Sequence, residues 1–139
     1  MTLVDISIKK YRKKRSLDAN SYMWSILDKL ADKLRTTKTE LYRKTIREVG
    51  KFQDMLMLTE AIKDFERLIC ADSEGTQVEV KRDAKEEGYS IIRVYMGSSG
   101  YNSKEFSRLL NYIVDECKEQ GIDTATPEEI DRLIKMIKE

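Results

Sequence analysis

The chain has 139 residues, of which 40% are hydrophobic and 37% charged, and it contains no histidine. This length suits a single domain with one core, and no apolar run in it approaches the ~18 residues that span a bilayer. The lack of histidine excludes Ser-His and Cys-His nucleophiles and every histidine metal ligand. A membrane-spanning role and histidine-dependent catalysis are therefore excluded.

Charge is divided unevenly along the chain, although the formal net charge is only +1. The first half, residues 1–51, carries 14 basic and 6 acidic side chains, whereas residues 52–139 carry 12 basic and 19 acidic ones. This asymmetry predicts a basic surface that holds a polyanion, or attraction between neighbouring copies of the chain. Cys70 and Cys117 lack metal-type spacing and follow no secretory signal, which favours buried, reduced thiols in a cytoplasmic protein.

The start of the chain predicts a short strand followed by two helices. Residues 3–8 alternate between apolar and polar side chains, as in a strand. Apolar residues then recur with helical spacing from a capping Ser16 or Asp18 to about residue 35. A capping-box pattern at residues 37–40 opens a second helix, which ends at Gly50. Two successive helices of this kind allow a helix-turn-helix geometry.

The middle of the chain predicts a strand, a helix and a hairpin. Residues 52–58 are apolar and bounded by a glycine and a threonine, which is typical of a strand. Helical spacing returns from Thr59 and is broken by the turn at residues 72–75. Residues 77–96 alternate on both sides of the charged turn 83–88, which indicates a hairpin with a loose loop.

The last third of the chain predicts two amphipathic helices. The first begins after a capping Asn102 or Ser103 and ends at Gly121. The second begins at Thr126 and Pro127, which combine a capping residue with a proline at the first helical position. The predicted class is α+β, with about five helices and a small antiparallel sheet made of the N-terminal strand and the hairpin.

Little of the chain resembles catalytic machinery. The Gly97–Gly100 segment lacks the spacing and the lysine of a Walker phosphate loop, and it indicates a turn. Glu79 and Lys81 would lie on the same side of a strand, where they could hold a divalent metal and orient water, as in a metal-dependent nuclease. Alternating charge on an exposed strand explains the same residues, and no earlier acid is clearly placed to join them, although Asp64, Glu66 and Asp72 are candidates. A non-catalytic protein without a cofactor or metal is favoured.

The most informative functional pattern is a basic run that leads into the first helix. It places six cations within seven residues: Lys9, Lys10, Arg12, Lys13, Lys14 and Arg15. Phosphate is the expected partner of such a run. Tyr11 within the run and Trp24 on the helix offer flat rings on which unpaired bases stack. A solvated connection for the run and a core position for Trp24 are the structural alternatives.

A second candidate region surrounds the start of the fourth predicted helix. Lys104 and Arg108 lie one turn apart there and could join Ser98 and Ser99 in binding phosphate, through side chains and free backbone N–H groups. An ordinary solvated helix face is the alternative interpretation of the two cations.

Two blocks of sequence resemble the NinB family of phage-encoded recombination proteins. The first block is Arg15-Ser16-Leu17-Asp18, followed by Asn20 and Trp24. Gly97-Ser98-Ser99, followed by Glu105-Phe106 and Leu109-Leu110, is similar to the second block. With Gly121 and the ending Thr126-Pro127-Glu128-Glu129, the chain also resembles short proteins encoded by prophages of Gram-positive bacteria.

The resemblance implies a homodimeric, non-catalytic mediator that binds single-stranded DNA in a basic groove within the host bacterial cytoplasm. Such a mediator helps to load a recombinase onto strands covered by single-strand-binding protein. The residues implicated are Arg15, Ser16, Asp18, Asn20, Trp24, Gly97, Ser98 and Ser99. Ser16, Asp18 and Asn20 either cap the helix or bridge to the second block, which would bring both blocks into one site. Fewer residues precede the first block than in the family, so the sheet and the dimer groove could differ.

The sequence therefore predicts a DNA-binding accessory factor of phage recombination or replication that prefers single strands, with duplex DNA as a possible further ligand. Two alternatives belong to other classes. One is a protein-interaction module of a phage replication complex, which would dock through its acidic second half or its amphipathic fourth helix. The other is the metal-dependent nuclease with Glu79 and Lys81.

Overall fold

The computed structural model describes residues 18–137. The predicted strand 3–8, the basic run Lys9–Arg15 with Tyr11, and Ser16 lie outside these residues. Within them, five helices are found: α1 (Ala19–Leu34), α2 (Lys38–Val49), α3 (Ile62–Cys70), α4 (Ser103–Glu119) and α5 (Pro127–Lys135). The strands are β1 (Phe52–Leu58), β2 (Gln77–Asp83) and β3 (Tyr89–Tyr95), and short 3₁₀ turns occupy Thr59–Ala61 and Ser98–Gly100. The predicted α+β class is confirmed.

Capping side chains set the starts of four helices, α1, α2, α4 and α5, as their local sequence predicts. Asp18 caps α1, since its carboxylate accepts a hydrogen bond from the Ser21 N–H at 2.7 Å. The side chains of Thr37, Asn102 and Thr126 accept equivalent bonds at the starts of α2, α4 and α5. In α4 and α5 the glutamate three residues on returns the bond to the cap, which completes a capping box. These bonds satisfy N–H groups that have no partner within the helix.

The sheet is antiparallel, with β3 in the centre and the order β1-β3-β2. β2 and β3 form the predicted hairpin, and a bulge interrupts their register between Val80 and Arg82. β1 pairs along its whole length with β3, from Phe52 opposite Tyr95 to Leu58 opposite Tyr89. Within the described part of the chain, the strand that joins the hairpin is therefore β1.

Two separate apolar clusters hold the described residues together. The larger cluster, called here the helical core, is built mainly by α1, α2, α4 and α5, and Tyr95 and Tyr101 also belong to it. Its fully buried side chains include Met23, Leu27, Ile46, Leu109, Leu110, Ile113 and Cys117. The smaller cluster centres on Ile62, Ile92 and Val94 and includes Phe65 of α3 and Met55 of β1. The short helix α3 therefore packs against one face of the sheet.

The opposite face of the sheet, called here the open sheet face, carries apolar side chains in contact with solvent. Phe52, Leu56 and Leu58 of β1 and Tyr89 of β3 share this face, and each is exposed. Arg93 crosses this face, where its guanidinium lies 3.9 Å from the centre of the Phe52 ring. No helix in residues 18–137 is long and apolar enough to cross a membrane.

Candidate nucleic-acid interface

Described residues of both blocks of sequence line one cavity of about 300 Å³. We call it the Trp24 cavity. Its lining residues come from α1, α2, the turn before β2 and the turn after β3: Asn20, Trp24, Tyr42, Asp72, Ser73, Glu74, Gly75, Gly97, Ser98 and Ser99. A neighbouring cavity of about 340 Å³ shares Asn20, Ser98 and Ser99. The structure thus brings Asn20 and Trp24 beside Gly97, Ser98 and Ser99.

The register of the hairpin creates this arrangement. Gln77 at the start of β2 lies opposite Tyr95 at the end of β3. In an antiparallel pair, the residues that precede one strand lie beside those that follow the other. The turn 72–75 is therefore placed against Gly97, and the contact is close: a Cβ on Gly75 would lie 2.8 Å from the Gly97 Cα. Glycine is needed at position 75 for the two turns to approach.

Ser98 is held by a residue of α2. Its N–H donates to the Tyr42 hydroxyl at 2.9 Å, and the two side-chain oxygens lie 2.7 Å apart. Both residues are buried, with 8% of Ser98 and 5% of Tyr42 exposed. The N–H of Ser98 is therefore not free for phosphate, contrary to the sequence-based hypothesis. These bonds hold the second block against α2. Ser99, in contrast, is exposed.

Trp24 combines the two roles that the sequence left open. The ring is half-buried and packs against the helical core, with its centroid 4.6 Å from that of Tyr42 and the planes tilted by 46°. It also lines the Trp24 cavity together with the exposed Asn20, which precedes it by about one helical turn on α1. Trp24 is thus both a packing residue and a wall of the cavity.

Two carboxylates, neither of which was expected from the sequence at a nucleic-acid interface, line the same cavity. Asp72 is exposed, and the Glu74 carboxylate accepts a hydrogen bond from the Thr39 hydroxyl at 3.3 Å. The Glu74 carbonyl accepts from the Arg43 guanidinium at 2.8 Å, which anchors the turn to α2. Two carboxylates repel a phosphate. The cavity therefore offers an aromatic wall, an amide and hydrogen-bond acceptors, but no described cation among its lining residues.

The remaining cations proposed from the sequence lie apart from this lining. Lys104 and Arg108 are exposed on α4, and neither lines the Trp24 cavity. Glu105, between them in sequence, completes the capping box of α4 and pairs with Lys51 at 3.4 Å. The hydrogen bond from the Asn102 N–H lowers the pKa of Glu105, and the charges of Lys51 and Arg108 lower it further.

Glu79 and Lys81 lie on the same side of β2, as predicted, with 3.4 Å between the Lys81 Nζ and Glu79 Oε1. The same carboxylate oxygen accepts a hydrogen bond from the Tyr95 hydroxyl at 2.8 Å, and this bond is the main reason that the pKa of Glu79 is lowered. Among residues 18–137, no group of three or more cysteines and acids is placed to hold a metal ion. Glu79 is therefore not part of any such group within residues 18–137.

The two cysteines are both free thiols. Cys117 is fully buried in the helical core, whereas Cys70 at the end of α3 is only partly covered. Burial raises the pKa of both thiols, which keeps them protonated near neutral pH. The expectation of burial is confirmed for Cys117 and only in part for Cys70.

Comparison with known proteins finds no match for this chain. No protein-family model, curated protein or solved structure matches the chain. The resemblance to the NinB family therefore rests on the two short blocks, which the Trp24 cavity brings together.

Proposed function

We propose that the protein binds DNA, favouring single strands, as a non-catalytic accessory factor of phage recombination or replication. The observation that carries this proposal is the position of the basic run. Six cations within residues 9–15 end three residues before Asp18, which caps α1. Since three residues span at most about 11 Å, the run is tethered to the helix whose first turns carry Asn20 and Trp24.

The mechanism would combine electrostatic capture with stacking. Cations of the run neutralise phosphates, and if four of them engage, log affinity falls against log salt concentration with a slope of about −3 on a single strand. Trp24 and Tyr11 provide rings for unpaired bases, each worth ~1–3 kcal/mol and largely indifferent to base identity. Exposed Lys104 and Arg108 would extend the phosphate contacts along α4.

The narrower assignment to recombination comes from the resemblance to the NinB family. It supports a homodimer that cooperates with single-strand-binding protein or a recombinase in the bacterial cytoplasm. The meeting of the two blocks at one cavity supports treating them as parts of one site, since a shared site explains why both patterns occur in one chain.

Fluorescence anisotropy with labelled oligonucleotides tests the proposal. We expect tighter binding to a single strand than to a duplex of the same sequence, a salt slope of about −3, and no cleavage when magnesium or manganese is added. Binding that does not respond to salt would contradict electrostatic capture. Cleavage that depends on metal and stops in Glu79→Ala would instead establish the nuclease alternative.

One observation favours protein interaction as a second candidate function. The apolar side chains of the open sheet face, Phe52, Leu56 and Leu58, are each between 43% and 49% exposed. The amphipathic fourth helix, in contrast, is not available for docking, because its apolar stripe lies in the helical core. A protein that serves only this function would show no salt-dependent retention on phosphocellulose.

A further inference from the structure

The lining of the Trp24 cavity suits a nucleobase better than a phosphate. Trp24 supplies an aromatic wall, Asn20 an amide, and Asp72 and Glu74 two carboxylates. A volume of about 300 Å³ is at the lower end of the range for small-molecule pockets, so it suits one planar group rather than a larger ligand. A phosphate would meet two negative charges there, and the nearby Arg43 guanidinium already donates to the Glu74 carbonyl at 2.8 Å.

We infer that the Trp24 cavity receives one unpaired base of the DNA and prefers guanine. This inference rests on the proposed function, and it adds selectivity at one position to the sequence-independent capture by the basic run. The base stacks on the exposed part of the Trp24 wall, while its hydrogen-bonding edge meets Asp72 and Glu74. Proteins that select bases in single strands combine stacking with contacts of this kind.

Guanine is favoured because a carboxylate only accepts hydrogen bonds. The Watson–Crick edge of guanine presents two neighbouring donors, N1–H and the N2 amino group, which match the two oxygens of one carboxylate. Adenine and cytosine present one amino group beside an unprotonated ring nitrogen, which would face a carboxylate oxygen unfavourably. Thymine presents a single N–H between two carbonyl oxygens. The Asn20 amide can contact the guanine O6, since it has donor as well as acceptor atoms.

Within the proposed site, the cavity binds the base, whereas phosphates are bound outside the cavity. Asp72 and Glu74 disfavour phosphate inside the cavity, so the phosphates of the strand stay outside it, available to the proposed capture by cations. A strand bound in this way would place one base inward and its phosphates outward. The glycine pair Gly75 and Gly97 keeps the two turns close enough to form the cavity floor, as a Cβ on Gly75 would collide with Gly97.

The only tryptophan of the chain lines this cavity, so its fluorescence reports occupancy directly. The experiment titrates the full chain with short oligothymidylates that carry one central guanine, hypoxanthine, adenine, cytosine or thymine. We expect the guanine oligonucleotide to quench Trp24 and to bind about tenfold more tightly than the thymine one, as one bidentate contact allows. Hypoxanthine lacks the N2 amino group and should lose most of this preference.

Two variants assign the preference to the carboxylates. Asp72→Asn and Glu74→Gln keep the shape of the side chains and remove the charge, so at least one of them should abolish the guanine preference while oligothymidylate still binds. Glu87→Gln, in the exposed turn of the hairpin, is the matched control and should retain the preference. Far-ultraviolet circular dichroism verifies that each variant is folded.

Three outcomes would overturn the inference. Equal affinity for all five oligonucleotides would leave the proposed DNA binding intact and remove the base selectivity. If no oligonucleotide binds, the proposed function itself fails together with the inference. Quenching by arginine amide that matches the guanine effect and is lost in Asp72→Asn would identify a site for a cationic side chain of a protein partner.

Discussion

The helical core and the sheet of this protein are packed in different ways. In the helical core, four helices enclose side chains such as Leu109 and Ile113 almost completely. The sheet is covered by one short helix on one face, and its other face carries exposed Phe52, Leu56 and Leu58. Burial of apolar surface is the main source of stability. The helices therefore supply most of the stability, and the sheet presents its side chains to the surroundings.

The Trp24 cavity lies where these two regions meet. Its helical wall is well packed, because Tyr42 is buried in the helical core and Trp24 packs against it. Apart from Asn20, its polar side chains come mainly from the turns on either side of the hairpin, at residues 72–75 and 97–99. Binding residues on turns that a rigid scaffold positions are common in proteins. The difference between the two regions thus explains how a well-packed protein can carry a polar, accessible site.

The largest expected effect comes from comparing the same substitution at one leucine in each region. Leu109→Ala should lower the free energy of unfolding by about 2–5 kcal/mol, because Leu109 is fully buried and the substitution leaves a cavity. Leu56→Ala should lower it by only about 1 kcal/mol, since 49% of Leu56 is exposed. Urea unfolding followed by circular dichroism measures both. Equal losses would show that the open sheet face is covered in solution.

A smaller effect tests the hydrogen bonds between Tyr42 of the helical core and Ser98 in the turn after β3. Tyr42→Phe removes the hydroxyl that bonds to the N–H and side chain of Ser98, and it leaves these buried groups without that partner. The expected loss of unfolding free energy is about 1–3 kcal/mol. Tyr89→Phe, at an exposed position of β3, is the control and should be nearly neutral. If the two variants behave alike, the Tyr42–Ser98 contact does not hold the second block in place.

The smallest effect concerns the charges on the open sheet face. Two hydrogen bonds from Arg93, at 2.7 and 3.0 Å, lower the pKa of Asp54. A carboxylate whose pKa is lowered by folding stabilises the protein above its ordinary pKa of 3.8, and this contribution is lost as the pH falls through the lowered value. Asp54→Asn should therefore reduce the loss of stability between about pH 5 and pH 2. Thermal unfolding across this range measures it, and an unchanged slope would contradict the assignment.

Local chemistry explains which parts of the fold could be predicted. Capping residues such as Asp18, Asn102 and Thr126 act within their own turn, so the first residue of each helix can be predicted from its neighbours in sequence. The hairpin is also local, and its prediction is confirmed. The pairing of β1 with β3 joins segments far apart in sequence, and no single-sequence pattern predicts which strand completes the sheet.

The site was predicted less completely for the same reason. Asn20 and Trp24 were proposed from their own block, but residues 72–75 were interpreted as a break between elements, and Asp72 was considered only as an acid of the nuclease alternative. The register of the hairpin could have identified them, since an antiparallel pair brings the residues before β2 to those after β3. The partner of Ser98 is Tyr42, 56 residues away in sequence, which the local pattern around Ser98 does not indicate.

The central claim is that the basic run captures DNA, and charge reversal tests it most directly. In the anisotropy assay at low salt, the combined variant Lys13→Glu, Lys14→Glu and Arg15→Glu should abolish binding of a single strand, because the phosphate contacts become repulsive. A control with the same change in net charge, Lys63→Glu, Lys85→Glu and Lys118→Glu at exposed sites, should retain most of the affinity. Unchanged affinity in the first variant, or equal losses in both, would contradict the assignment of DNA binding to the basic run.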